Sequence, residues 1–116
     1  MSSVRYEILD LLTEDDYGPW EVLVQVEHSR AEIVGELEKL IARRAVEWAL
    51  RDGYNGATRT LSENERPSLL SDGTWVASEF EDPQLLMRIT DLGLEEHSKL
   101  MRIEFDWPPR PEGSQA

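Results

Sequence analysis

Apolar side chains recur at helical spacing from the start of the chain. Val4, Ile8, Leu11 and Leu12 fall at i, i+4, i+7 and i+8, and this stripe predicts a helix over residues 3–12. The acidic run Thr13–Gly18 breaks it, and Pro19 then suits the first turn of a second helix. Trp20, Leu23, Val24 and Val26 supply that helix with an apolar face. Its β-branched content suits a strand as well, so the helical reading leans on its neighbours. Ser29 followed by Glu32 is a capping box: the serine oxygen takes an amide of the first turn and the glutamate reaches back to the serine amide. A third helix follows to about Arg44, with Ile33, Leu37, Leu40, Ile41 and Arg44 on one face. Arg30, Gly35, Glu36, Lys39 and Arg43 lie nearer the other.

Residues 46–51 alternate as a strand does, and the cluster Asp52–Gly53–Tyr54–Asn55–Gly56 signals a tight turn. Residues 57–61 are placed to return as a second strand. Residues 62–84 carry little periodicity beyond a short strand predicted at Thr74–Ala77. Leu85–Ile89 reads as a strand, and Thr90 caps a last helix from Asp91 to about Arg102. The proline-bearing tail from Trp107 is expected to be disordered. One core is predicted from Ile8, Leu12, Leu23, Ile33, Leu37, Leu40, Ile41, Val46, Ile89 and Leu100.

Two segments about fifty residues apart give this order a family likeness. Leu37-x-x-Leu40 leads into Ala45–Val46, a helix running into a strand. Ile89–Thr90–Asp91-x-Gly93 is a strand running into a helix. Together they resemble the recognition helix and the wing-to-last-helix junction of winged helix-turn-helix regulators of the MarR, ArsR and PadR kinds, and of small haloarchaeal winged-helix proteins. The resemblance covers residues 3–51 and 85–101. It implies an α+β fold, a winged helix-turn-helix with three helices, a β-hairpin wing and a C-terminal helix. Residues 1–102 would form this single domain, with 52–84 as an extended wing or insert and 103–116 as a partly disordered tail. It also implies a DNA-binding transcriptional regulator, acting through helix 29–45 and the wing on double-stranded DNA. Such regulators usually pair, so a homodimer is expected, with the first helix and Leu100, Met101, Ile103, Phe105 and Trp107 as its apolar surface.

Charge complicates that picture. The 116 residues carry a formal net charge of −12, with 24 acidic against 12 basic side chains. Only Lys39 and Lys99 are lysines; the other basic residues are arginine. An acidic, lysine-poor surface suits cytoplasm at very high salt. A GC-rich genome favouring arginine codons accounts for it equally. Residues 28–59 sum to +1, so the rest of the chain sums to −13. The only non-acidic stretch therefore coincides with the recognition helix and first wing strand. On this basis Arg30, Gly35, Glu36 and Lys39 are expected nearest the bases, Arg43 and Arg44 on phosphates, and Arg51 and Arg59 on the backbone beside the wing. Glu36 is equally placed to pair with Lys39 on the helix surface.

Other chemistry has little support. With no cysteine there are no disulfides and no thiol nucleophile. His28 and His97 belong to no spaced ligand set, so no metal or cofactor is expected and packing roles are. Gly53-x-x-Gly56 is a turn signal, not a phosphate loop. No motif places a base beside a nucleophile, and no enzymatic activity is expected. Trp20, Trp48, Trp75 and Trp107 are too scattered for a cage. No apolar run approaches ~18 residues, and residues 1–6 lack a signal-peptide core, so a cytoplasmic protein away from membranes is expected. Two further readings stay open: an acidic winged-helix module that binds protein instead of DNA, and a small-molecule sensor using the 52–84 insert. Arg30, Lys39, Arg51 and Arg59 on one surface would favour DNA. Glu27, Glu36, Glu47 and Glu79 interleaved among them would favour a protein partner.

Overall fold

The computed structural model describes residues 3–51, 57–75 and 84–105, the side chains of 104 and 105 excepted. The predicted turn at 52–56, Glu79, Trp107 and the tail lie outside them. Among the described residues the fold is mixed α+β, with four α-helices and a three-stranded antiparallel sheet, compatible with a winged helix.

The helix starts at Pro19, Ser29 and Thr90 hold where the sequence placed them. Helix α1 spans Val4–Glu14, with the Ser3 hydroxyl accepting from the Tyr6 amide at 3.1 Å. It runs two residues into the acidic stretch expected to end it, and the Thr13 hydroxyl bonds back to the Asp10 carbonyl at 2.6 Å. Helix α2, Pro19–Gln25, starts on its proline, but its inward face differs from the predicted one. Val22 and Val26 are buried and Leu23 is half-buried, whereas Trp20 and Val24 stand in solvent. Burying Pro19 at the first turn orients this face, since Val22 and Val26 follow it at helical spacing. Helix α3, Arg30–Ala42, opens on the Ser29–Glu32 capping box, its two bonds measuring 3.2 and 3.4 Å.

Helix α3 ends in a Schellman motif. The Ala45 amide reaches the Leu40 carbonyl at 2.9 Å and the Arg44 amide reaches Ile41 at 3.0 Å. The residue between must turn left-handed, and Arg44 does so at φ 62°. The chain leaves directly into β1, Val46–Arg51, which pairs with β2, Thr58–Thr60, on one side and β3, Gln84–Ile89, on the other. The sheet order is therefore β2-β1-β3. Tyr17, before α2, extends the sheet by one antiparallel bridge to Met87.

The stretch between β2 and β3 is neither a free wing nor a separate subdomain over its described part. Residues 61–75 fold back on the helices through two short 3-10 turns, Glu63–Glu65 and Asp72–Trp75. Leu61, Leu69 and Trp75 enter the common core, and the Trp75 indole donates to the Leu69 carbonyl at 2.8 Å. Thr74 and Trp75 thus lie in a 3-10 turn where a strand was predicted, and residues 76–77 of that strand lie outside the described residues. A buried indole needs an acceptor, and the tightened turn supplies one.

Helix α4, Asp91–Phe105, docks on the α3–β1 junction. The Thr90 hydroxyl donates to the Arg44 carbonyl at 2.5 Å, with the Ala45 carbonyl also in reach at 3.1 Å, and accepts from the Gly93 amide at 3.1 Å. A Cβ at Gly93 would sit 2.1 Å from the Ala45 carbonyl oxygen, so only glycine allows this approach.

Of the ten core residues predicted, Ile8, Leu12, Ile33, Leu37, Leu40 and Val46 are buried. Leu23, Ile41, Ile89 and Leu100 pack against them partly exposed. Two stability measurements follow, both read by urea denaturation. Leu37 and Leu40 are each 0% exposed, so replacing either by Ala should cost ~2–5 kcal/mol. Arg44→Gly should instead stabilise by about 1 kcal/mol, because it removes the left-handed penalty of a side chain.

Candidate recognition face

The α3 surface turned to solvent carries Ala31, Glu32, Gly35, Glu38, Lys39 and Ala42. Nothing lies within 4 Å of the position a Gly35 Cβ would take, so the middle of this face is open. Lys39 stands beside it, with no ion pair among the described residues.

The other predicted contact residues, Arg44 excepted, are engaged elsewhere. Arg30 bridges to Asp72 of the insert at 2.9 Å, and its guanidinium lies 5.5 Å from the centre of the Trp75 ring. Glu36 is not on the exposed face and does not pair with Lys39. It is 8% exposed, turned toward α1, and accepts from the Arg5 Nε at 3.3 Å. Its second oxygen, Oε2, is buried without a hydrogen bond. The α3 residues at helical spacing from Leu40 face the core, and position 36 falls among them.

Arg43 makes a two-point contact with Glu96 of α4, at 2.9 and 2.5 Å. That bond holds the Glu96 carboxyl below its ordinary range and raises the Arg43 guanidinium. Arg51 donates to the Gln84 side chain across the β1–β3 edge, and its Nε is buried without an acceptor. Arg59 forks onto Glu65 at 3.1 and 2.8 Å. Arg44 is exposed and has no ion pair among the described residues.

The structure thus brings carboxylates to the basic segment from outside it. Asp72, Glu65 and Glu96 meet Arg30, Arg59 and Arg43. On the sheet, Arg88 lies 3.3 Å from Asp16 and 3.9 Å from Glu47. The capping-box spacing Ser62-x-x-Glu65, whose Ser62 amide donates to Glu65 at 3.1 Å, is a local signal for that turn but not for the pairing with Arg59. Asp72 and Glu96 carried no local signal.

Both histidines clamp α1. The His28 ring lies between Glu7 of α1 at 2.5 Å and Glu32 of α3 at 3.4 Å. His97 meets Asp10 at 2.9 Å and stacks on Tyr6 with ring centres 5.4 Å apart. Among the described residues no cluster of His, Asp and Glu could hold a metal ion, and no helix is long and apolar enough to cross a membrane. Compared with family models, curated proteins and solved structures, the chain matches none.

The Arg59–Glu65 fork has a measurable signature. Hydrogen bonds from Arg59, then from Ser62, lower the Glu65 carboxyl from 4.5 to about 2. Because the folded value is depressed, the pair's contribution is fully present above 4.5 and fades as pH falls toward about 2. Carboxyl titration by NMR should find this midpoint, and Arg59→Ala should move it upward. A midpoint near 4.5 that Arg59→Ala leaves unmoved would count against the fork in solution.

Proposed function

We propose that this chain is an acidic winged-helix module whose partner is a protein. The winged-helix part is supported by the short link between α2 and α3, by β1 and β3 as paired antiparallel strands behind α3, and by the Tyr17–Met87 bridge. The protein-binding part is carried by one observation: Arg30, Arg43 and Arg59 each already hold a carboxylate. Binding phosphate there means displacing Asp72, Glu96 and Glu65, and those acids stay beside the phosphate as like charges. Surface ion pairs are weak, typically ~0–1 kcal/mol, but the fixed negative charge remains after they open. Exposed apolar groups offer what a protein partner needs. Trp20, 44% exposed, and Val24, 59% exposed, share one face of α2. Tryptophan is among the side chains that most often anchor such contacts. A second copy of the chain is one such partner: Ile103 of α4 is 78% exposed, while Leu100 of the predicted dimer surface packs on the core.

One observation favours DNA as a second reading. Gly35 and Lys39 present an open face, with a lysine that has no ion pair among the described residues, which a major groove could approach. Fluorescence anisotropy on duplex DNA, from ~0.05 M to molar salt with folding confirmed by circular dichroism, separates the two. The protein-binding reading predicts no saturable binding. It also predicts that a partner co-purifying with the tagged chain is lost on Trp20→Ala with the fold intact. Tight binding that weakens steeply with salt would replace it with the DNA reading.

A further inference from the structure

The α3–β1 junction is built for glycine and holds arginine. Arg44, at φ 62°, is the one non-glycine residue with positive φ among those described. Left-handed backbone costs a side chain of this kind about 1 kcal/mol, so the guanidinium is retained against a local penalty. It lines a cleft of about 430 Å³ between the end of α3, the start of β1 and the insert. Arg66 of the insert lines the same cleft, as do Glu47 and Glu63, over a floor of Ile41 and Val46. Neither Arg44 nor Arg66 has an ion pair among the described residues, as is also so of Arg51 and Arg102, whereas Arg5, Arg30, Arg43, Arg59 and Arg88 all do. Glu63 also has no side-chain partner there, and Glu47 has only distant ones, Thr60 at 3.4 Å and Arg88 at 3.9 Å. Ile41 and Arg66 are shared with a second, more apolar groove of about 330 Å³ that runs to Trp48 and Leu69.

We infer that this cleft binds a free α-amino acid with a large apolar side chain. A simple anion would meet the two guanidiniums but be repelled by Glu47 and Glu63, and a simple cation would meet the reverse. A zwitterion satisfies both signs and brings no net charge. Its carboxylate pairs with Arg44 and Arg66, in the planar geometry guanidinium favours. Its ammonium turns to Glu63 and Glu47. Its side chain lies over Ile41 toward the groove beside Trp48. The two grooves together are of the size that holds small ligands. The inference does not depend on which macromolecule the module binds.

The test is calorimetric titration of the full chain with L-phenylalanine, with tryptophan fluorescence as a second readout. L-phenylalaninamide lacks the carboxylate and 3-phenylpropanoate lacks the ammonium. L-phenylalanine should bind saturably, and each analogue should bind roughly tenfold more weakly or worse. Arg44→Gly should weaken L-phenylalanine by a similar factor while raising stability to urea, so the loss cannot be unfolding. Arg66→Gln should act alike. No binding well above ~1 mM, unchanged binding by Arg44→Gly, or equal binding of 3-phenylpropanoate would overturn the inference.

Discussion

The backbone of α4 rests directly on the backbone where α3 becomes β1, and the rest of the fold depends on that contact. Gly93 makes it sterically allowed, since any Cβ there would overlap the Ala45 carbonyl. Thr90 makes it polar and specific, with one hydroxyl donating to the carbonyls of Arg44 and Ala45 and accepting from the Gly93 amide. The Thr90 amide adds a third bond to the Ala45 carbonyl at 3.0 Å. Two chain segments that read as separate motifs are therefore the two halves of one joint. From it β1 and β3 run side by side in unbroken register, Val46 opposite Ile89 through Arg51 opposite Gln84. The Arg43–Glu96 fork closes the joint on its solvent side.

The insert changes what this framework can do. Leu69 and Trp75 bury themselves against the helices, a gain of a few kcal/mol that fixes residues 61–75 in place. Fixing them sets Asp72 against Arg30 and Arg66 across from Arg44. One packing event thus neutralises the start of α3 and walls a cleft at its end. A basic segment in the sequence becomes a mixed-charge surface in the fold.

The sequence made the caps and stripes legible because they are local. Ser29–Glu32, Pro19 and Thr90 act within a turn, and the apolar spacing of α1 and α3 reports burial directly. The Thr90–x–x–Gly93 spacing was legible as a motif, though its partner at Ala45 was not. What stayed hidden was set by side chains meeting across the fold. Glu36 looks like a surface residue until Arg5, thirty-one positions away, is brought to it. Trp20 looks like core until Val22 joins the predicted Val26 on the inward face. The insert has no period to read: the residues buried in its described part, Leu61, Leu69 and Trp75, sit just after β2, in a turn and in a 3-10 turn, at no regular spacing. The basic contact set was drawn from arginines whose carboxylate partners lie outside their own segment, so position along the chain could not reveal their pairing.

The central joint is tested most directly by the stability of Gly93→Ala, measured by urea denaturation. Two physical effects oppose each other there. Helix propensity alone favours alanine over glycine by about 1 kcal/mol. The overlap of a Cβ with the Ala45 carbonyl at 2.1 Å, and with Ile89 at 2.6 Å, forces the helix off its seat. The joint described above requires the second effect to win, with a loss of at least ~2 kcal/mol. A variant as stable as the original, or more so, would contradict it.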